Sequence, residues 1–280
     1  ITTWFGVKYR GIASGIGASG GALSFAILGA LVPWLSHHDP VDGWRHSWLC
    51  ISLAAYVAGF MSLFLLKEKE SSNLSPVVAA LSATVSDAYR NRYIWLIAGL
   101  AFSSGWASCI QVAFFGEYLG NEGISLEISG RLWWILGFVG IGSGVFWGYL
   151  SDRIGRGLAF LLSFIVYGLG LLLFLAVPSL LGFIIGIGLI GMSLRAAYTL
   201  CGASVGDYVQ EHHAAAAFGV TAMGAGIGLT LAPPVAGATA DLTGNLAWVY
   251  VIALIGTVLG VCGSTLLTAA RPRTDRAVEK

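Results

Sequence analysis

Seven stretches of this chain contain no Asp, Glu, Lys or Arg: residues 11–38, 46–66, 93–116, 132–151, 157–194, 212–240 and 242–270. About 20 apolar residues in a helix cross the ~30 Å hydrocarbon core of a bilayer, and every stretch reaches that length. Water could not solvate such a chain as a globule. Only 10% of its 280 residues are charged, against about 25% in an ordinary soluble domain, and its mean hydropathy is +0.80. A soluble enzyme, a secreted disulfide scaffold and a disordered tail are excluded. The net charge of +1 provides no basic field for nucleic acid. Cys50, Cys109, Cys201 and Cys262 all fall in apolar runs without ligand spacing, which reads as buried free thiols. The expected class is all-α, a polytopic membrane helix bundle in contact with the lipid bilayer.

The run 157–194 is too long for one crossing and continues past a single charge, Arg195, to Gly206. Pro178 removes a backbone donor and disfavours helix in the residue before it, so the run divides there into two helices. Eight transmembrane helices result, and an even count leaves both ends on one side. Lys8 and Arg10 precede the first span. Lys67, Lys69, Arg90 and Arg92 lie between the second and third, and Arg153 and Arg156 between the fourth and fifth. Arg271, Arg273, Arg276 and Lys280 follow the eighth. The opposite side carries Arg45 and Arg131. The excess of basic residues makes the first side cytoplasmic, as expected for a multi-pass protein of the plasma (inner) membrane.

The first and seventh spans align at an offset of 204 positions, with Gly15 on Gly219, Ala18 on Ala222, Gly20 on Gly224 and Trp44 on Trp248. Repeats of this kind are common in transporters. One repeat would then be ~200 residues long, so the chain is expected to be a fragment that lacks the first four of twelve helices.

Between the fourth and fifth spans the chain reads Gly148-Tyr149-Leu150-Ser151-Asp152-Arg153-Ile154-Gly155-Arg156. This resembles the G-x-x-x-D-R-x-G-R signature of the major facilitator superfamily. Arg10-Gly11-x-Ala13-x-Gly15 is similar to the start of that family's fifth helix, and Gly43-Trp44-Arg45 to the turn before its sixth. Pro233-Pro234-Val235-Ala236-Gly237 with Asp241-Leu242-Thr243-Gly244 is similar to the end of helix eleven in the monocarboxylate-porter and oxalate/formate-like branches. The resemblance implies helices five to twelve of the family fold. Residues 1–66 would close an N-terminal six-helix bundle, 67–92 form a cytoplasmic central loop, and 93–280 make the C-terminal six-helix bundle and its tail.

The signature also reads physically. Gly148 and Gly155 permit a tight turn, Asp152 can accept at a helix end, and Arg153 and Arg156 can reach carbonyls or acidic partners. The resemblance assigns these five residues to conformational gating; the plainer reading leaves the arginines as topogenic charges. The pairs Gly11/Gly15, Gly17/Gly21, Gly140/Gly144/Gly148 and Gly224/Gly228, spaced by four, suit close helix packing, fixed or sliding.

Arg195 lies near the middle of its span, where a charge is costly and faces a partner or a water-filled cavity. Gly188, Gly191, Tyr198, Thr199 and Gly202 share its helical face as a small and hydroxylic stripe. A guanidinium there suits an anionic solute, a carboxylate above all, through two parallel hydrogen bonds. The competing reading is a structural arginine paired to a carboxylate on one of the helices expected to be missing. In the third span Ser104, Ser108, Gln111, Phe115 and Tyr118 recur at helical spacing, as a binding face or as interhelical hydrogen bonds. Trp106, Trp133, Trp134 and Trp147 are substrate contacts or interfacial anchors. Glu117 is the local candidate for a coupling proton, with a solvated loop position as its alternative. Asp207, Glu211, His212 and His213 read as solvated helix-terminal groups, Asp207 as a possible cap. His37-His38-Asp39 lacks the further ligands of a metal site, and no metal or other cofactor is expected.

The sequence therefore points to a transporter of a small-molecule solute rather than an enzyme, since no nucleophilic, paired-carboxylate or phosphate-binding arrangement is present. A small organic anion such as a monocarboxylate, moved with a proton by alternating access, fits Arg195. Efflux of hydrophobic or cationic compounds is the rival within that class. A non-transporting scaffold or sensor is the rival outside it.

Overall fold

The computed structural model describes residues 10–39, 41–65, 90–209 and 214–269. Apart from 90–92 the central loop lies outside these residues, as do Glu211, His212, His213 and the basic tail. The helices are α1 (Arg10–His38), α2 (Gly43–Leu65), α3 (Arg92–Asn121), α4 (Leu126–Ile154), α5 (Arg156–Ala176), α6 (Leu180–Leu194), α7 (Ala196–Tyr208), α8 (Ala214–Thr243) and α9 (Ala247–Thr268). Helices α6 and α7 are two halves of a single span, Leu180–Tyr208, so eight helical spans are long and apolar enough to cross a membrane.

Local chemistry sets the ends. The break at Pro178 falls where the sequence places it, and the Ser179 hydroxyl caps α6 by accepting the Gly182 N–H (3.2 Å). Helix α4 starts at Leu126, earlier than the expected residue 132: the Ser125 hydroxyl caps it by accepting the Ile128 N–H, and Glu127 and Arg131 pair at 2.5 Å along its exposed first turns. Helix α8 runs beyond Asp241 to Thr243, and Gly244, at φ +63, turns the chain into α9. Between α4 and α5 a single residue suffices: Gly155 has φ +91, a conformation that side chains disfavour.

Helices α3 to α9 pack around two apolar layers stacked along the bundle. Ile94, Ile97, Leu100, Trp147, Phe160 and Leu200 form the layer near the Gly155 turn. Phe115, Leu119, Leu136, Phe174, Phe183 and Tyr250 form the other. Leu194 belongs to the second layer and Ala196 to the first, so Arg195 stands between them, at mid-depth. Helix α1 lies along α4 in the most extensive helix–helix contact and also touches α7. A Cβ on Gly15 or Gly144 would fall on the other's backbone, which is the close approach that the glycine spacing predicts. Gly17 meets nothing within 4 Å. Helix α2 packs chiefly on α1 and presents Trp48, Leu53, Tyr56 and Phe60 outward.

Candidate functional site

Arg195 ends α6 and precedes α7 with φ −96 and ψ −5, so the helix is interrupted at the charged residue within one span. The residues expected to share its stripe differ in their surroundings. Tyr198 is exposed and its ring lies 5.9 Å from the Arg195 guanidinium carbon, whereas Thr199 is fully buried. Gly191 packs against the α4 backbone at Leu136 rather than lining open space. The guanidinium reaches α1 instead. It lies 5.4 Å from the centre of the Phe25 ring, and a Cβ on Gly21 would stand 2.5 Å from its Nη2. Its Nε is buried without a hydrogen-bond partner, and among the described residues no carboxylate pairs with it.

Tyr198 also lines a cavity of about 180 Å³ with Ala101, Ser104, Cys201, Phe218 and Thr221, between α3, α7 and α8. Ser104 is shared with a water-sized cavity of about 10 Å³ toward Ser163, Tyr167, Ser193 and Thr257. Tyr198 thus faces the Arg195 guanidinium and shares a cavity with Ser104. Ser108 is half-buried and donates to the Gly105 carbonyl at 3.3 Å. Gln111 is fully buried; neither of its amide atoms has a partner, and it lines neither cavity. Glu117 is exposed.

The signature residues hold the bundle's other polar centre. Arg156 donates from Nη1 to Asp152 (2.6 Å) and Ser151 (2.5 Å), and from Nε to Asp207 on α7 (2.8 Å). All three charged side chains are nearly buried, with exposures of 8, 13 and 11%. Asp207 is therefore neither solvated nor a helix cap, as its sequence position suggests; it is the second anion of a buried ion-pair network that ties α4, α5 and α7 together. One cation serves two carboxylates, and Asp152 Oδ2 and Asp207 Oδ1 remain without partners. Arg153 points away and lies over the Tyr149 ring at 4.3 Å. Gly148 is buried within α4.

The tryptophans divide by role. Trp147 donates to the Met192 carbonyl (2.7 Å) and Trp106 to the Ile252 carbonyl (3.1 Å), both tying helices together. Trp133 stacks on Phe25 at 5.4 Å, while Trp134 is exposed and stacks on Phe138. At the end of α1, His38 pairs with the Trp34 carbonyl and Asp39 accepts the N–H groups of Val41 and Asp42. The sequence does not single out Phe25 as part of this site, because it lies on a helix remote in the chain with no polar group to mark it.

A comparison with curated proteins gives no match. The family model of the Major Facilitator Superfamily matches residues 1–161 and 135–280, which together span the chain. Carriers of that family bind small solutes within the membrane and are in general not enzymes. The family match, the eight apolar spans and the helical bundle lead to one assignment: the chain belongs to the major facilitator superfamily and is an integral, multi-pass membrane transporter.

Proposed function

We propose that this transporter carries a small organic anion, a monocarboxylate by preference, together with a proton, by alternating access around Arg195. The observation that carries this reading is the mid-depth guanidinium with no carboxylate partner among the described residues and a buried, unpartnered Nε. A cation withdrawn from water and left without a counter-charge is costly. A carboxylate relieves that cost and accepts two in-plane N–H bonds. Tyr198 lies beside the charge and shares its cavity with Ser104, and Ser108, Gln111 and Thr199 are the further polar side chains we assign to the solute path. The adjoining cavity is lined mainly by Ala101, Cys201 and Phe218, which suits an apolar tail better than a second carboxylate. Asp152 and Arg156, with Gly148, Arg153 and Gly155 around the turn, serve as the gating brace. We place the α4–α5 turn, both chain ends and the central loop on the cytoplasmic face of the plasma (inner) membrane, from the basic residues around them. Glu117 is the carboxylate assigned to the proton.

The reading is tested by uptake of labelled acetate, lactate and benzoate, and of a cationic dye, into proteoliposomes with and without a proton gradient. Carboxylate uptake that rises when the gradient is imposed is expected. Movement of the dye alone would replace the anion carrier with a cationic-compound efflux carrier, and movement of neither would remove the organic-anion reading.

A further inference from the structure

We propose that Gly21 and Phe25 of α1 form the seat that positions the Arg195 guanidinium, so that the solute site is built from two helices far apart in the chain. This rests on the reading of Arg195 as the anion-binding group, but the seat has its own geometry. Arg195 departs from α7 and crosses to α1, where the missing side chain of Gly21 gives its Nη2 and Nη1 room; a Cβ there would stand 2.5 and 2.9 Å from them. The ring of Phe25 lies 5.4 Å from the guanidinium carbon and that of Tyr198 5.9 Å, both within the range of a cation–π attraction. Rings attract the charge without accepting the N–H bonds in the guanidinium plane, so those donors stay free for a planar anion.

Phe25 is itself held in place. Trp133 of α4 stacks on it at 5.4 Å and 23°, and Phe115 of α3 abuts Trp133 edge-on at 5.1 Å and 89°. Phe115 is fully buried in the apolar layer. The cation therefore rests on an aromatic series that begins in the bundle core, and its position depends on α1 staying against α4. Ala22 and Ala26, both buried, keep that contact close by packing on Gly140 and Gly137. Movement of α1 along α4 would carry Phe25 and Gly21 away from Arg195, which makes the seat a point where solute binding and helix movement meet.

The test is the rate at which phenylglyoxal, an arginine-directed reagent, modifies Arg195 in the full-length protein in proteoliposomes, read by peptide mass spectrometry. Gly21→Ala displaces the guanidinium, and Phe25→Leu removes the ring. Both are expected to raise the rate, Phe25→Leu about fivefold, the effect of losing a cation–π contact. Phe25→Tyr keeps a ring and should match the unmodified protein. Gly17→Ala, on the same helix where nothing lies within 4 Å, should also match it and controls for general loosening. Unchanged rates in both Gly21→Ala and Phe25→Leu would overturn the seat. Acetate, lactate or benzoate should slow modification of the unmodified protein. Raised rates in the variants with no slowing by any of the three would leave the seat standing and overturn the anion reading.

Discussion

Arg156 and Arg195 are both withdrawn from bulk water, and they differ in what faces them. Arg156 has two carboxylates, while Arg195 has two aromatic rings and a glycine. The difference sets opposite expectations for removing each charge. Arg156→Met leaves Asp152 and Asp207 buried beside each other without a cation, a loss of about 3–5 kcal/mol, whereas Asp152→Asn or Asp207→Asn leaves a one-to-one pair and costs far less. Thermal unfolding of the purified variants should rank Arg156→Met well below the two Asn variants. Asp152→Asn should still insert and remain folded yet transport more slowly; unchanged uptake kinetics would remove the signature from the gating mechanism. Asp152 and Arg156 are legible in the sequence because both belong to the short signature around the Gly155 turn, which brings the end of α4 and the start of α5 together. Asp207 is not, since its partner is 51 positions away and only the tertiary fold joins them.

At the scale of the helices, the spans were written in the charge-free runs and in Pro178, because the bilayer's thickness and proline's missing N–H act locally. The interruption at Arg195 has no such mark. Neither glycine nor proline stands there, and the residues expected in one stripe differ in burial, Tyr198 exposed and Thr199 buried. Glycines spaced by four announced close contact but not its address. Gly15 and Gly144 meet across α1 and α4, and Gly224 and Gly228 meet α3, while Gly17 meets nothing. The repeat at an offset of 204 pairs Gly15, which is packed, with Gly219, which has nothing within 4 Å, so the two stretches are packed differently. These contacts predict unequal substitutions. Gly144→Val should lower the unfolding temperature by an overpacking cost of about 1–3 kcal/mol, and Gly17→Val should leave it nearly unchanged. Equal effects, measured on detergent-solubilised protein, would mean that α1 does not lie on α4 as described.

At the scale of the molecule, α3 is the helix on which the orientation implied by the basic residues can be tested. It runs 30 residues, or about 45 Å at 1.5 Å each, so its two ends emerge on opposite faces. In a variant without native cysteines, Glu122→Cys should react with an impermeant maleimide applied outside intact cells, and Arg90→Cys only after permeabilisation. The reverse pattern would invert the topology. Whatever the orientation, the account turns on Arg195 as the group that binds the solute, and one comparison tests it most directly: carboxylate uptake by the unmodified protein, Arg195→Lys and Arg195→Gln at equal amounts of inserted protein. Loss of charge-assisted hydrogen bonds worth about 1.5–3 kcal/mol predicts that Arg195→Gln lowers uptake efficiency at least about tenfold, with Arg195→Lys in between. Carboxylate uptake by Arg195→Gln equal to that of the unmodified protein would contradict the account.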